Sequence, residues 1–509
     1  MIISEKNAGI LLHISSLPSH HGIGDIGSAT REWLDFLTQT DNHYWQILPI
    51  HPVGYGESPY QSYSAFAGEE LFIDPVWLYE WGFLNRQELE SAPVFDEKKT
   101  DYRASRQWKG KLFHQAFLRF VSRPFNKSYP LFLENHRDWL EDYCLFRAIK
   151  DQETGNPWHR WPAGLRDREP GVIRAFKEEN EESFRYYQFL QYCFFQQWER
   201  MKQLFLENSI QIIGDLPIFV AHDSADVWAN PDLFQLEEDG TPTVVAGVPP
   251  DYFSETGQRW GNPHYRWEKM KQNNFKWWKQ RVGHLLDLVD LIRIDHFRGF
   301  EAYWEIPADE KTAVKGQWVK GPGEAFFHSL KTYWPELPFI AEDLGVITPP
   351  VKALKRKFSL PGMKILQFSF YPKLSKRERP YEYEKNAFAY SGTHDNDTLM
   401  GWIETEARKD INIALRLYKY HQINVEEQAE QICWSLLDLM FKTNAGGAMV
   451  QMQDYLCLGT EARMNFPGTT TNNWHWRCSG EDLADNFLRS RINGLVLKHG
   501  RENKKRSCR

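Results

Sequence analysis

Eight short apolar segments constrain the fold of this 509-residue chain more than any other feature. Most of them are hydrophobic nearly throughout, as are strands that are covered on both faces of a parallel sheet. Helical patterns such as 28–39 and 425–441 separate several of them. The segments are 9–14, 44–50, 211–216, 289–295, 339–343, 363–368, 387–392 and 447–453. Buried strands with intervening helices predict an α/β fold, specifically a closed (β/α)8 TIM barrel.

The uneven spacing of these strands indicates insertions into a single barrel that covers 1–509. Residues 51–210 carry aromatic and charged residues at helical spacing, so we expect an inserted, largely helical subdomain there. Residues 217–288 are a second predicted insertion. Within it, 246–261 contain two prolines, three glycines and three aromatics, which excludes a regular element. We interpret 247–262 as an ordered loop over a site, because its aromatics argue against disorder.

Composition excludes several classes of protein. A net charge of -7 lacks the basic surplus of a nucleic-acid-binding protein. No apolar run reaches the ~20 residues of a membrane span, and no signal peptide is expected. The six cysteines form no C-x-x-C pair, so we expect reduced thiols in a cytoplasmic protein. Gly22–Gly27 fit G-x-G-x-x-G, but Ser15–His21 separate them from the preceding strand, so no nucleotide cofactor is expected.

Acidic residues occur where four of the predicted strands end. Charged side chains are rarely buried without partners, so strands that deliver them at their tips present a site. In a (β/α)8 barrel the active site lies at the C-terminal ends of the strands, where all four groups would converge. The acidic residues at these tips are Asp215, Asp295, Glu342 and Asp395. Three of the four tips also carry a cation or an imidazole nearby.

Convergent carboxylates beside Arg and His favour glycoside chemistry, and an aromatic fraction of 15% suits a groove that stacks sugars. A retaining mechanism needs a nucleophile and an acid about 5–5.5 Å apart, and neighbouring strands lie ~4.8 Å apart. Asp295 suits the nucleophile because Arg293, two residues earlier, favours the ionised form. Glu342 suits the acid/base if burial or like charge retains its proton. Asp395 would then bind sugar hydroxyls.

Two expectations concern the neighbouring polar residues. His394, Asp395, His296 and Asp215 could instead assemble a metal site, although no H-x-x-x-H spacing supports one. For Arg298 we expect a structural salt bridge.

The same motifs resemble the catalytic signatures of the 4-α-glucanotransferases, the amylomaltases or disproportionating enzymes of the α-amylase clan. The resemblance runs almost end to end and is closest to the short form of the family. The segments that carry it are 54–62, 214–228, 247–262, 293–299, 342–345, 394–396 and 464–469, together with Asn473 and Trp474. The resemblance implies that α-1,4-glucan segments move from a donor maltodextrin to the 4-OH of an acceptor glucose or maltodextrin, with retention and without metal or cofactor.

The resemblance also implies a role for each site residue. Asp295 would be the nucleophile, Glu342 the acid/base and Asp395 the transition-state stabiliser. The expected substrate contacts are Tyr60, Asp215, Tyr252, Trp260, Arg293, His296, His394 and Asn465. A retaining α-1,4-glucan hydrolase is the alternative activity, and a non-catalytic glucan-binding protein is the alternative outside the enzymes.

Overall fold

A computed structural model describes residues 3, 5–124, 127–250, 254–371 and 379–507. Its strands are β1 Asn7–Leu11, β2 Tyr44–Gln46, β3 Gln211–Pro217, β4 Val244–Val248, β5 Gln258–Pro263, β6 Leu291–Asp295, β7 Ala302–Pro307, β8 Gln317–Lys320, β9 Phe339–Ala341, β10 Gly362–Ile365, β11 Ala387–Tyr390 and β12 Gly447–Gln451. Eight of them close a barrel in the order β1-β12-β11-β10-β9-β6-β3-β2. All neighbouring pairs in the barrel are parallel.

Helices connect and surround these strands. They are α1 Ser28–Gln39, α2 Pro75–Glu80, α3 Arg86–Leu89, α4 Tyr102–Val121, α5 Ser128–Asn135, α6 Arg137–Gln152, α7 Ala163–Arg166, α8 Pro170–Glu179, α9 Glu181–Glu207, α10 Ala225–Ala229, α11 Trp267–Gln272, α12 Lys276–Leu288, α13 Gly323–Lys331, α14 Pro349–Lys357, α15 Leu399–Trp402, α16 Ile411–His421, α17 Ala429–Lys442, α18 Met452–Tyr455, α19 Gly480–Ala484, α20 Asn486–Lys498 and α21 Lys504–Ser507. Among the described residues, no helix is long and apolar enough to cross a membrane.

The predicted (β/α)8 barrel is confirmed, because every one of the eight apolar segments supplies a barrel strand. Several strands end earlier than the apolar runs do. Residues 47–50, for example, are buried but lie beyond the end of β2. Hydrophobicity marks burial, whereas the end of a strand is set by the last hydrogen bond to its neighbours. The apolar run therefore continues into the loops at the top of the barrel.

Strand alternation decides which side chains enter the barrel. A separate core cluster fills the interior, and it is formed mainly by Tyr44, Ile213, Leu291, Ile340, Met363, Phe388, Tyr390 and Met449. Ile292 and Ile294 belong instead to the main core that includes the surrounding helices. Successive residues of a strand face opposite sides, so Arg293 and Asp295 share the inner face with Leu291. The inner face of β6 is thus apolar at Leu291 and charged at Arg293 and Asp295, towards the C-terminal end of the strand.

A second sheet, not predicted from the sequence, has the antiparallel order β5-β4-β7-β8. The expectation that 246–261 contains no regular element is wrong at both ends of that segment, since β4 and β5 form an antiparallel hairpin. The glycines suit this pairing. A Cβ on Gly247 would lie 2.2 Å from the carbonyl oxygen of Gln258, and Gly257 has a φ of +66°. Glycine therefore permits close strand approach here.

Helices α2 to α9 occupy the chain between β2 and β3. Much of the aromatic content packs in the core rather than in a groove. In the insertion, for example, the ring of Phe120 contacts the rings of both Phe189 and Tyr192. The tryptophans Trp33, Trp45, Trp198, Trp228, Trp278 and Trp402 are fully buried. The predicted domain boundaries, a single barrel with insertions at 51–210 and 217–288, stay a prediction.

Candidate active site

The tips of three adjacent strands bring acidic and basic side chains together. β3 pairs with β6 so that Asp215 lies beside Arg293, and Asp295 lies beside Pro217. β6 pairs with β9 so that Ile294 lies beside Ala341, which makes Asp295 and Glu342 the next residues on neighbouring strands. Because parallel strands end at the same edge, these groups share the C-terminal face of the barrel.

Arg293 links two of the carboxylates. Its Nη1 lies 2.6 Å from Oδ2 of Asp215, and its Nη2 lies 2.9 Å from Oδ1 of Asp295. The Arg293 side chain is 4% exposed and that of Asp295 is 27% exposed. Burial alone would lower the pKa of Arg293, but Asp215 and Asp295 outweigh it and raise that pKa further. The guanidinium therefore keeps its charge and fixes the direction of the Asp295 carboxylate.

Tyr60 joins this group from the loop after β2. Its hydroxyl donates to Oδ2 of Asp215 at 2.6 Å, and its ring stacks on His394 with 5.0 Å between the centroids. Burial and the charge of Asp215 raise the pKa of Tyr60 well above its usual value, so the hydroxyl stays protonated and can donate. The ring of Trp474 packs beside both Tyr60 and His394.

Glu342 is held by the main chain. Its Oε2 accepts from the backbone N–H of His296 at 2.8 Å, and its Oε1 accepts from that of Leu344 at 2.9 Å. His296 has a φ of +50°, a left-handed conformation that is uncommon for a residue with a side chain. Burial raises the pKa of Glu342 to about 8; Arg293 opposes this shift and Asp295 adds to it. Glu342 is thus a carboxyl that retains its proton at neutral pH.

Asp395 lies in the opposite electrostatic environment. His394 Nε2 lies 3.2 Å from its Oδ2, and the side-chain amide of Asn465 donates to its Oδ1 at 2.6 Å. Burial would raise the pKa of Asp395, but His394, Asn465 and Arg293 together lower it to about 2. Two carboxyl groups in one site therefore hold different protonation states, an arrangement typical of acid–base catalysis.

The β4–β5 hairpin borders the site through Trp260. The edge-on contact of its ring with His296 has 4.9 Å between centroids. Gln61 donates to the backbone oxygen of Trp260 at 3.4 Å and so ties the loop after β2 to the hairpin. Burial and Arg298 lower the pKa of His296 to about 3, so its ring is neutral. Tyr252, the other aromatic expected on this segment, lies outside the described residues.

The metal-site alternative is not supported by the geometry. Within the described ranges, three potential ligand atoms come together only at His21, Asp25 and Asp74, a group that contains none of the four residues of that alternative. Lys109 already places a positive charge there, with its Nζ 3.6 Å from Asp25.

The expected salt bridge of Arg298 is wrong for the part of the chain that the structure describes. Arg298 donates instead to the backbone oxygen of Val346 at 2.5 Å, and its guanidinium covers the ring of Trp318 at 3.8 Å. A planar guanidinium can stack on an aromatic ring. The ring of Trp318 therefore takes the place of the carboxylate partner that was expected for Arg298.

Comparison with known proteins gives the family. The model of glycoside hydrolase family 77, described as 4-alpha-glucanotransferase, matches residues 12–483. The chain belongs to glycoside hydrolase family 77. It is therefore an enzyme of the 4-α-glucanotransferase type, as the sequence motifs predict.

Relatives of this family 77 enzyme match along nearly their whole length. A 4-alpha-glucanotransferase of Thermus thermophilus is 47% identical over 481 residues, which cover 94% of this chain and 95% of the relative. One from Synechocystis sp. is 43% identical over 506 residues, with 98% and 99% covered. Among solved structures, the amylomaltase from Streptococcus agalactiae in complex with acarbose has a TM-score of 0.94 at 34% identity, covering 98% of this chain and 100% of that one.

One residue of this family 77 site was missed by the sequence analysis. Arg463 donates to the backbone oxygens of both Asp395 and Asn465, with 2.8 Å for the second bond. No motif pointed to it, because its place two residues before Asn465 is the only sequence signal. Contacts join the predicted site residues other than Tyr252 into two groups, which meet where Asp295 and His296 follow each other in the chain. The first group is Tyr60, Asp215, Arg293, Asp295, His394, Asp395 and Asn465. The second is Trp260, His296 and Glu342.

Proposed function

We propose that this family 77 enzyme transfers α-1,4-glucan segments from a donor maltodextrin to the 4-OH of an acceptor glucose or maltodextrin by a retaining double displacement. One observation carries the proposal. Glu342 has a pKa raised to about 8 and sits at the strand position next to Asp295, which Arg293 orients. A protonated acid next to an oriented carboxylate is what the first step of a retaining mechanism requires.

In the first step Glu342 protonates the glycosidic oxygen while a carboxylate oxygen of Asp295 attacks the anomeric carbon. The carbon–oxygen bond to the leaving glucan breaks, and a β-glucosyl ester of Asp295 forms. In the second step the ionised Glu342 takes the proton of an acceptor 4-OH, whose oxygen attacks the same carbon and releases Asp295. The two inversions restore the α-configuration, and Glu342 ends protonated as it began.

The remaining residues act on the sugar that is cleaved. Asp395, kept ionised by its low pKa, faces sugar hydroxyls and stabilises the positive charge that develops on the ring. The other proposed substrate contacts are Tyr60, Asp215, Tyr252, Trp260, Arg293, His296, His394 and Asn465. Tyr60 stacks on the sugar, while Tyr252, Trp260 and Asn465 shape the acceptor side.

Transfer instead of hydrolysis requires that an acceptor sugar reach the glucosyl ester before water does. The β4–β5 hairpin supports this, because it sets the indole of Trp260 against His296 beside the backbone group that binds Glu342. The indole ring of Trp260 would exclude water on this side and offer a surface for the acceptor. A retaining α-1,4-glucan hydrolase is the second candidate function. It would form the same glucosyl ester, and water instead of an acceptor sugar would then attack that ester.

The proposal is tested with maltotriose as the only substrate and no added metal or nucleotide. Transfer yields glucose together with maltodextrins longer than maltotriose, at a constant number of reducing ends. Glucose and maltose alone, with reducing ends that increase, would show hydrolysis and refute the proposal. Binding without any turnover would instead identify a glucan-binding protein.

The cellular location is also a proposal. Cys144, Cys193, Cys433, Cys457 and Cys478 are free thiols, which is typical of proteins in a reducing compartment. We infer a cytoplasmic enzyme from this usage.

A further inference from the structure

The segment 463–466 and the loop that carries Asp395 are tied together by one arginine. Nε of Arg463 donates to the backbone oxygen of Asn465 at 2.8 Å, and Nη2 of Arg463 donates to the backbone oxygen of Asp395. The guanidinium also lies over the ring of Phe466, 4.7 Å from its centroid. Arg463 itself makes no hydrogen bond to the carboxylate of Asp395 among the described contacts, so beyond the attraction between the two charges it can orient that carboxylate only through other residues.

Asn465 connects Arg463 to the carboxylate of Asp395. Its backbone N–H donates to the carbonyl oxygen of His394 at 3.0 Å, and its side-chain amide donates to Oδ1 of Asp395 at 2.6 Å. The amide reaches Oδ1 in this geometry only while the two segments keep their spacing. Arg463 fixes that spacing because its rigid fork binds the carbonyl of each segment.

The rest of the Asp395 loop does not provide an equivalent link. The side chain of Asn396 accepts from the N–H and hydroxyl of Thr393, which shapes the loop internally. Thr460 reaches Asp397 at 2.8 Å, two residues beyond the carboxylate in question. Apart from Asn465 itself, Arg463 is thus the described side chain that joins Asp395 to the 463–466 segment.

We propose that Arg463 is a positioning residue that aims the Asp395 carboxylate at the reacting sugar by holding Asn465 in place. The catalytic importance of this aim rests on the role proposed above for Asp395. Arginine is needed because two backbone oxygens must be bound at once by one planar group, and the single ammonium of lysine cannot reproduce that fork. Loss of Arg463 lets the carboxylate rotate away without removing any group that touches substrate.

The test uses Arg463→Ala and Arg463→Lys with a matched control, Arg408→Ala. Arg408 likewise binds two backbone oxygens, those of Val425 at 3.0 Å and of Glu427 at 2.7 Å, and among the described contacts it touches no residue of the site. Fluoride release from α-maltosyl fluoride gives kcat and KM for the step that transfer and hydrolysis share. We expect Arg463→Ala to lower kcat by about 10- to 100-fold, the size of effect that misplacement by about 1 Å produces.

The comparison separates positioning from general destabilisation. KM of Arg463→Ala should change by less than about threefold, because the proposed substrate contacts other than Asp395 and Asn465 keep their positions. Arg463→Lys should stay within about threefold of Arg463→Ala in kcat, since charge without the fork does not restore the geometry. Arg408→Ala should keep the kcat of the unmodified enzyme. Equal kcat losses in Arg408→Ala and Arg463→Ala, or full activity in Arg463→Lys, would overturn the proposal.

A double-mutant cycle then checks the route through Asn465. If Arg463 acts by holding Asn465, the combined variant Arg463→Ala with Asn465→Ala should lose less activity than the product of the two single losses. Losses that multiply would mean that the two residues act independently, which contradicts the proposal. An unmodified enzyme that releases fluoride but only hydrolyses maltotriose would refute the proposed transfer and leave this comparison valid.

Discussion

The raised pKa of Glu342 predicts an alkaline limit to the first chemical step. A carboxyl with the ordinary glutamic acid pKa of 4.5 would be protonated in only about 0.3% of molecules at pH 7. With a pKa of about 8, Glu342 is protonated in roughly 90% of molecules at pH 7 and in roughly 10% at pH 9. At pH 7 the protonated fraction of Glu342 is therefore about 300 times that of a glutamic acid with the ordinary pKa.

The assay compares two donors over pH 6 to 10. The first turnover on phenyl α-maltoside needs a proton on the leaving oxygen, so kcat/KM should fall about tenfold per pH unit above pH 8. α-Maltosyl fluoride needs little proton transfer to its leaving group, so its first turnover should be nearly flat over this range. Glu342→Gln should lower the phenyl maltoside rate by about 10²- to 10⁴-fold and affect fluoride release far less.

Two results would refute this reasoning. A phenyl maltoside profile that falls from about pH 5 would mean that burial does not hold the Glu342 proton. Parallel profiles for both donors would place the titrating group elsewhere, for example in substrate binding. Circular dichroism at each pH serves as the control for unfolding.

Three further predictions concern single side chains. Asp295→Asn should lower kcat on maltotriose by about 10⁴-fold or more with an unchanged circular dichroism spectrum, because no glucosyl ester can form; substantial residual turnover would place the nucleophile elsewhere. Trp260→Ala should raise the share of hydrolysis, measured as reducing ends formed per maltotriose consumed, since water gains access to the ester. Trp318→Ala, on the same sheet but against Arg298, is its control, and an equal rise in both variants would contradict the role of Trp260. Tyr60→Phe removes the 2.6 Å bond to Asp215 but keeps the ring, so kcat/KM should fall about 10-fold; an unchanged value would show that the hydroxyl is dispensable.

The electrostatic design of the site depends on contacts between distant parts of the chain. His394, next to Asp395, and Asn465, 70 positions away, keep Asp395 ionised, whereas burial raises the pKa of Glu342 and keeps it protonated. The two carboxyls look alike in the sequence. Their opposite protonation states come from what packs around them, and this separates the proposed acid from the proposed stabiliser.

The sequence by itself determined the barrel and the identity of the charged tips. Eight nearly continuous apolar runs are typical of strands buried on both faces of a parallel sheet, and alternation along Leu291–Asp295 predicted that Arg293 and Asp295 share one face of their strand. The motifs at the strand ends, together with the resemblance that they carry, predicted the family. These features are local, because each depends on residues that are close together in the chain.

Only the tertiary structure decided the features that depend on distant partners. The glycines and prolines of 246–261 predict a loop, whereas pairing of β4 with β7 and β5 makes strands of the two ends of this segment. Arg298 was expected to pair with a carboxylate, and in the fold it stacks on the ring of Trp318 instead. Arg463 could not be found from the sequence, since the carbonyl oxygens that an arginine binds carry no sequence signature. Hydrophobic pattern encodes burial, but the partner of a buried polar group exists only once the chain has folded.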